Sequence, residues 1–297
     1  MFAIRPTPGK GLGVFSTTNI TRGSRILSEK ALISVQGDSQ WSILSAADGL
    51  DSSARLRFLD LSINQAKHVS WLSRLHTLWI SKSKPLSFSA NHTILNVFRN
   101  NNFDIGKEIR ALFPQVARLN HACVPNAQGN FHPSLNEFTI HATKDIATNE
   151  EITISYLKHQ FASREVRQQH LSSGYGFHCD CPACKSDSPL GQASEARREN
   201  IRQRLEAFAT KASSSEENSE GELVVLKHLL VAYEEEGIRG REVATMYMAA
   251  AKLALAQSDK CTARELAKRG LELEEEAIGT DSPIYQDTLK EASSMMS

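Results

Sequence analysis

Residues 177–184 read FHCDCPAC and place three cysteines, Cys179, Cys181 and Cys184, within six positions. Clustered thiols in a loop are typical of metal or redox sites, and a structural zinc site needs four ligands in a tetrahedron. The sequence contains five cysteines. The fourth ligand must therefore come from a distant part of the chain, and the choice between Cys123 and Cys261 is a statement about the fold.

Cys123 is the better candidate. It lies in RLNHACVPNA, residues 118–127, where Pro125 and polar neighbours indicate an irregular loop. Cys261 begins the amphipathic stretch CTARELAKRGLEL, where a single cysteine is most often a small core residue. His178 ranks lower because adjacent residues seldom both bind one ion. We expect structural zinc on Cys123 and the three clustered cysteines; the alternative is that the three clustered cysteines are partly buried thiols without metal.

Composition restricts the class of protein. The chain has 297 residues, 40% of them hydrophobic, and equal numbers of basic and acidic residues, 34 each. We expect two domains and an intracellular protein, with no direct nucleic-acid binding and no membrane association, because a basic surface and a long apolar span are both missing from the sequence. In a reducing compartment, clustered cysteines favour metal over disulfides.

The hydrophobic pattern changes along the chain. Residues 9–35 predict a pair of strands joined by a turn, and residues from about 37 to 100 predict a helical insertion, with segments at 41–65 and 70–83. Alternation returns at 137–157, where Phe138, Ile140, Ile152 and Ile154 have period two. Residues 186–195 suggest a linker, and helices follow at 222–237, 241–258 and 261–279, with a mobile loop at 212–222.

Four ordered motifs, GKGLGVF (9–15), LNHACVPN (119–126), NEEITISY (149–156) and YGFHCDCPAC (175–184), resemble the signature of SET-domain lysine methyltransferases. The last block is most similar to the SET and MYND branch. The resemblance implies an α+β fold: a SET (β-clip) domain over residues 1–185 with the helical insertion and a zinc-bound post-SET segment at 158–185, then a tetratricopeptide-like α-helical C-terminal domain over 186–297.

The sequence also departs from that pattern. There is no cysteine between Ser16 and Arg118, so the zinc finger of the MYND branch is missing. Ala122 stands where the family has serine. Asn149 replaces the glycine that often precedes the paired acids, and asparagine can adopt left-handed backbone angles.

The resemblance implies S-adenosylmethionine as cofactor. Lys10 and Gly11 would line its methionine end, Asn120 and His121 would hold its adenine and amino-acid ends, and Phe177 would pack on the adenine ring. Asn101 aligns with an asparagine that contacts the cofactor. Read without the family, the glycines would form an ordinary tight turn and Phe177 would be a core residue.

The implied reaction is methylation of a lysine ε-amine in a histone or another protein. Tyr156 would orient the amine and the methyl group, Tyr175 would be the second tyrosine of the lysine channel, and Phe103 would form another wall. The rival functions are a SET-fold scaffold that recruits partners through its helical C-terminus without turnover, a methyltransferase for a small molecule, and a zinc-stapled scaffold without cofactor. The acidic run at 271–279 is most simply a solvated helix face.

Overall fold

The strands form three small sheets in a computed structural model that describes residues 1–64, 88–157, 160–212 and 219–296. The strands, in chain order, are β1 (Phe2–Thr7), β2 (Gly11–Ser16), β3 (Arg25–Lys30), β4 (Ile33–Gln36), β5 (Asn102–Asp104), β6 (Ile109–Leu112), β7 (Asn120–His121), β8 (Ala127–His132), β9 (Glu137–Ala142) and β10 (Glu151–Ile154). The sheet orders are β1-β2-β10-β7, β3-β9-β8 and β4-β6-β5.

The sheets share one apolar core. The predicted period-two residues Phe138, Ile140, Ile152 and Ile154 are all buried in it, together with Val14 and Phe113. In β9 the alternate residues Thr139 and His141 are buried too, because C-terminal helices cover the other face of this sheet. The alternation therefore predicted the strands correctly, although not the burial of both faces.

The two strands predicted within residues 9–35 exist, but the prediction that they pair is wrong. β2 pairs with β1 and β10, whereas β3 pairs with β9. The partner that displaces the expected hairpin is the N-terminal strand β1. It is an edge strand, a position where Pro6 removes no hydrogen bond from the interior of a sheet.

The insertion is helical in the part that the structure describes. Helices α1 (Gln40–Asp48), α2 (Ser52–Leu59) and α3 (Phe88–Asn101) form a second core with β4 and β6. Asp51 caps α2 by accepting a hydrogen bond from the Ala54 amide at 2.8 Å. The helical segment predicted at 70–83 lies outside the described residues.

The remaining helices are α4 (Arg164–Tyr175), α5 (Pro189–Ala212), α6 (Ser219–Glu236), α7 (Arg241–Ala256), α8 (Lys260–Ile278) and α9 (Pro283–Met296). The predicted helices at 222–237, 241–258 and 261–279 correspond to α6, α7 and α8. Of the predicted mobile loop, residues 219–222 are helical and 213–218 lie outside the described residues. None of the described helices is long and apolar enough to cross a membrane.

The linker predicted at 186–195 is wrong from Pro189 onward, where α5 begins. The Ser188 hydroxyl accepts a hydrogen bond from the Gly191 amide at 3.1 Å, so Ser188-Pro189 is a helix start rather than a linker. A Cβ on Gly191 would lie 1.9 Å from the Lys185 carbonyl oxygen. The start of α5 therefore packs directly against the cysteine-rich segment.

Two further expectations about the C-terminal helices are wrong. Cys261, expected in the core, is exposed at the start of α8. The acidic run is not a solvated face throughout, because Glu274 and Glu276 face inward. Glu274 pairs with Arg241 at 3.1 Å, and Glu276 pairs with Arg22 of the sheet region at 3.0 Å.

Candidate active site

One cavity of about 870 Å³ brings the predicted cofactor and channel residues together. It is bordered by the loop before β2, by the ends of β7 and β10, by residues 175–180 and by the insertion. The predicted residues that line it are Lys10, Gly11, Asn101, Phe103, Asn120, His121, Tyr156, Tyr175 and Phe177.

A short parallel strand pair creates this convergence. In β7 and β10, Asn120 lies beside Thr153 and His121 beside Ile154, and the Ala122 amide donates to the Ile154 carbonyl at 3.1 Å. The motif that contains Asn120 and His121 is thereby fixed beside the segment that leads to Tyr156. Two peptides that are remote in sequence thus form one edge of the cavity.

The four predicted zinc ligands, Cys123, Cys179, Cys181 and Cys184, form a buried cluster in which all sulfur atoms lie within 4.8 Å of one another. The Cys123 and Cys184 sulfurs are 3.4 Å apart, and those of Cys123 and Cys179 are 4.0 Å apart. A zinc ion with four Zn–S bonds of about 2.3 Å requires sulfur separations of about 3.8 Å. The donor set and its spacing fit a closed, four-coordinate zinc site.

Helix α4 holds the cluster from one side. The Gln168 side chain donates to the Cys179 carbonyl at 2.7 Å and accepts from the Cys179 amide at 2.9 Å. The helix begins with the cap residue Ser163 and ends at Gly176 in the left-handed region, at φ 81°. That ending turns the chain sharply after Tyr175, so that Tyr175 and Phe177 both reach the cavity.

His121 connects the cysteine cluster to the predicted catalytic tyrosine. Its Nδ1 accepts the Tyr156 amide proton at 3.0 Å, and its Nε2 lies 3.4 Å from the Cys123 sulfur. Burial lowers the pKa of His121 to about 4, so the ring is neutral at pH 7 and its one proton is on Nε2, directed at the sulfur. The ring therefore positions Tyr156 and supports Cys123, and both ring nitrogens are engaged.

The Tyr156 hydroxyl donates a hydrogen bond to the Leu119 carbonyl at 2.6 Å. Burial raises the pKa of Tyr156 well above its ordinary value, and burial also raises the pKa of Tyr175. The two rings are 4.8 Å apart between centroids, and Phe177 lies edge-on to Tyr156 at 6.3 Å. Both hydroxyls are protonated at neutral pH, inside an aromatic enclosure.

Asn120 is held by groups beneath the cavity. Its amide nitrogen donates to the Leu12 carbonyl at 3.2 Å and to Glu151 Oε1 at 2.8 Å. Both amide protons are used, so the side chain can offer a ligand only its oxygen. A Cβ on Gly13 would come within 2.9 Å of the Asn120 amide nitrogen and 2.6 Å of Glu151 Oε1. Gly13 is therefore required by this network.

Lys10 closes one side of the cavity through an ion pair with Asp180, 3.0 Å between Nζ and Oδ1. Burial disfavours the ammonium, but the hydrogen bond and charge of Asp180 raise the pKa of Lys10, and the same contact lowers the pKa of Asp180. Gly9 and Gly11 flank Lys10 with φ of 72° and 76°, angles that favour glycine. The loop is therefore tied to the cysteine-rich segment.

Asn101 and Phe103 form the opposite side. Both amide protons of Asn101 are donated, to the carbonyls of Ser62 and Val97 at 2.7 Å each, and its oxygen accepts from the Ser62 hydroxyl at 3.1 Å. Phe103 packs on Phe138 with centroids 4.8 Å apart. Asn101 thus fixes the Ser62 segment, and its predicted contact with a cofactor stays a prediction.

Several residues of the site were not predicted from the sequence. Ser62 lies in a segment whose pattern carries no chemical signal, and Glu151 and Asp180 were given no role within their motifs. Asn64 is similar: its side chain donates to the Gly174 carbonyl, next to Tyr175, at 3.0 Å. Glu151 and Asp180 lie within the quoted motifs 149–156 and 175–184, but their partners Asn120 and Lys10 are set by tertiary structure, which the motifs do not reveal.

Comparison of the sequence and of the structure with known proteins gives the following similarities. Residues 11–157 match the SET domain family. Histone-lysine N-methyltransferase set5 of Schizosaccharomyces pombe is 27% identical over 288 residues, which cover 96% of this chain and 81% of that protein. N-lysine methyltransferase SMYD2 of Homo sapiens is 32% identical over 136 residues, 42% of this chain and 30% of that protein. Among solved structures, the SET domain of LSMT bound to lysine and AdoHcy has a TM-score of 0.43 and 12% identity, covering 99% of this chain and 82% of that chain.

Proposed function

Since this chain belongs to the SET-domain family of protein lysine methyltransferases, we propose that it transfers a methyl group from S-adenosylmethionine to the ε-amine of a lysine in a protein substrate. The observation that carries the proposal is the convergence of nine predicted residues on one cavity. A cavity of about 870 Å³ is within the size range of cofactor sites.

The cofactor supplies an electrophilic methyl group on a sulfonium ion. On the protein side, the Asn120 oxygen is a hydrogen-bond acceptor suited to an amine or ammonium group, since both of its amide protons are already used. Lys10, in the loop before β2, is a cation that lines the same cavity as Asn120. Phe177 offers a ring face for an adenine. These contacts would hold the two ends of an extended ligand.

Tyr156 is the residue we assign to the chemistry. Its proton is donated to Leu119, so its oxygen lone pairs remain as acceptors for the N–H groups of an incoming lysine amine. Accepting those protons directs the amine lone pair toward the methyl group, and alignment is the main contribution that a displacement reaction of this kind needs. Because the hydroxyl stays protonated, Tyr156 orients the amine and does not act as a phenolate base.

Structural zinc on Cys123, Cys179, Cys181 and Cys184 would stabilise this arrangement. The ion would join the loop after β7 to the segment after α4 and so fix Phe177 and Asp180 on the cavity side. A site with four thiolates has no open coordination position, so its contribution is structural. The proposal also includes a domain boundary near residue 185. It further includes a tetratricopeptide-like C-terminal domain whose helices bind a partner.

The test uses the full chain with quantified zinc. Calorimetry measures S-adenosylmethionine binding, and transfer of a radioactive methyl group to core histones or a cell extract depleted of cofactor measures activity. Tyr156→Phe should bind the cofactor as the wild type does, while its turnover falls about 100-fold, because one positioned hydroxyl is lost.

Three other outcomes would contradict the proposal in different ways. Failure of the wild type to bind the cofactor would leave a scaffold. Formation of S-adenosylhomocysteine without labelled protein would indicate a small-molecule substrate. Equal turnover of wild type and Tyr156→Phe would remove Tyr156 from the mechanism.

A further inference from the structure

The cysteine cluster poses an electrostatic problem. Four thiolates around a divalent ion leave a net charge of about minus two, and all four cysteines are buried, with Cys123 fully inaccessible and the other three at most 8% exposed. Burial of a net charge is costly unless nearby groups neutralise it and donate hydrogen bonds to it. His121 Nε2 lies 3.4 Å from the Cys123 sulfur and so engages one of the four sulfurs.

Arg167 of α4 supplies a charge at this place. Its side chain has no exposed surface, and its Nη2 lies 3.6 Å from the Cys184 sulfur and 3.2 Å from the Ala183 carbonyl oxygen. Nη1 donates to the Ala162 carbonyl at 2.6 Å and lies 3.6 Å from Oε2 of the partly exposed Glu195. A guanidinium group keeps its charge when buried, so a fixed positive charge touches a metal-binding sulfur and the backbone of the loop that carries it.

A second buried arginine extends the contact into the C-terminal helices. The Ala162 carbonyl also accepts from Arg198 Nη1 of α5 at 3.5 Å. Arg198 Nη2 pairs with Glu236 Oε1 at 3.0 Å, and the two side chains are at most 1% exposed. Glu236 is the last residue of α6. A continuous buried path thus runs from the Cys184 sulfur through two guanidinium groups to the end of a C-terminal helix.

Among the described residues the buried Arg167 Nε has no hydrogen-bond partner, whereas the far end of the path is well supplied with polar groups. Glu236 accepts from Ser194 and pairs with Arg197 at 2.7 Å, and Arg198 donates to the Gln160 carbonyl. Truncation of one member of a buried charged network leaves the others uncompensated. The network therefore holds the helices and the cysteine-rich segment in one fixed arrangement.

We propose that Arg167 is a positioning residue that retains zinc in the four-cysteine site, and that Arg198 and Glu236 make the C-terminal helices part of the support of that site. The proposal rests on the zinc assignment made above. Through zinc and His121, which bonds both Cys123 and the Tyr156 amide, the C-terminal helices support the geometry of the cavity. They would do so whether or not they also bind a partner protein.

The experiment compares Arg167→Met with Arg164→Met in the zinc-loaded full chain. Arg164 is a matched control on the same helix, because its Nε donates to the Cys184 carbonyl at 2.8 Å and not to a sulfur. Release of zinc to a chromophoric chelator is followed over time. Arg167→Met should release zinc about 10-fold to 100-fold faster than the wild type, the range found when groups that support metal ligands are removed, whereas Arg164→Met should differ by less than about 3-fold.

A spectroscopic measurement separates this role from a general loss of packing. In the cobalt-substituted proteins, the sulfur-to-metal charge-transfer band should move to lower energy in Arg167→Met, because a thiolate without its cationic donor loses an electron more easily. The band should not move in Arg164→Met. If Arg167→Met does not fold, Arg167→Lys and Glu236→Gln are measured; faster zinc release in either supports the proposal, and wild-type rates in both overturn it.

The two levels of the proposal fail in different ways. Wild-type protein that binds no zinc would overturn the zinc assignment itself. Wild-type protein with one equivalent of zinc, combined with unchanged release rates and an unchanged cobalt band in Arg167→Met, would overturn only the role of Arg167. In that case the buried arginines are packing elements of the C-terminal helices.

Discussion

The two sides of the cavity are built by different means. The motif wall, which comprises residues 8–12, 120–121, 154–156, Tyr175 and 177–180, is fixed by a parallel strand pair and by the buried cysteine cluster behind it. The asparagine wall, Ser62 and residues 100–104, is fixed by side-chain amide hydrogen bonds. The four motifs specify the chemical groups of the first wall, whereas the second wall, although it contains the predicted residues Asn101 and Phe103, is held in place by tertiary hydrogen bonds that no motif reveals.

The largest expected effect comes from disrupting the cysteine cluster behind the motif wall. Cys123→Ser should lose zinc and lower the free energy of unfolding by more than about 3 kcal/mol, because binding of a structural zinc ion contributes directly to folding. Zinc content and urea denaturation measure this. Cys261→Ser is the control, since Cys261 is exposed, and it should change stability by less than about 0.5 kcal/mol. A full equivalent of zinc in Cys123→Ser would contradict the ligand set.

A smaller effect is expected when one asparagine of each wall is replaced and the two variants are compared. Asn120→Ala should weaken S-adenosylmethionine binding about 10-fold, the equivalent of one lost hydrogen bond. Asn101→Ala should weaken it by less than about 3-fold but should cost about 1–3 kcal/mol of stability, since three polar groups of Ser62 and Val97 lose their partner. Calorimetry measures cofactor binding and denaturation measures stability in both variants. Weaker binding in Asn101→Ala than in Asn120→Ala would place the main cofactor contact on the asparagine wall.

The smallest expected difference is that between the pH dependence of turnover in the wild type and in Tyr156→Phe. Because burial keeps the Tyr156 hydroxyl protonated, turnover should rise with pH toward about 10, following deprotonation of a lysine amine whose free pKa is about 10.4. Tyr156→Phe should show the same slope at a lower rate. A decline of the wild-type rate between about pH 8 and 10 that is absent in Tyr156→Phe would show that the hydroxyl ionises in this range.

The motif wall could be predicted because its residues are neighbours in short segments. The strand pattern at 137–157 and the choice of Cys123 over Cys261 are of this kind, since both rest on local sequence and both agree with the structure. Asn149 is another case: it was expected to tolerate a left-handed backbone, and its φ is 68°. Strand periodicity, a cysteine in a loop and an asparagine in a turn all depend on a few neighbouring residues, which is why the sequence predicts them.

Other features could not be predicted because they depend on which segments meet. The pattern at 9–35 predicts two strands but does not specify their partners, and β2 pairs with β1 and β10. The acidic run at 271–279 predicts a solvated face, because no local signal marks Arg22, the distant partner of Glu276. Residues 186–195 resemble a linker because serine and proline mark turns as well as helix starts, and the structure shows the helix start through the hydrogen bond from the Gly191 amide to the Ser188 hydroxyl.

The hydrogen bonds that shape the cavity also bear on how the protein folds. Asn120 and Glu151 are 31 residues apart in sequence, His121 and Tyr156 are 35 apart, and Asn64 and Gly174 are 110 apart. Contacts that close long loops incur an entropy cost before they stabilise the chain, and proteins rich in them fold slowly. The cavity is therefore expected to form late in folding, so that ligand binding reports on completion of the native state.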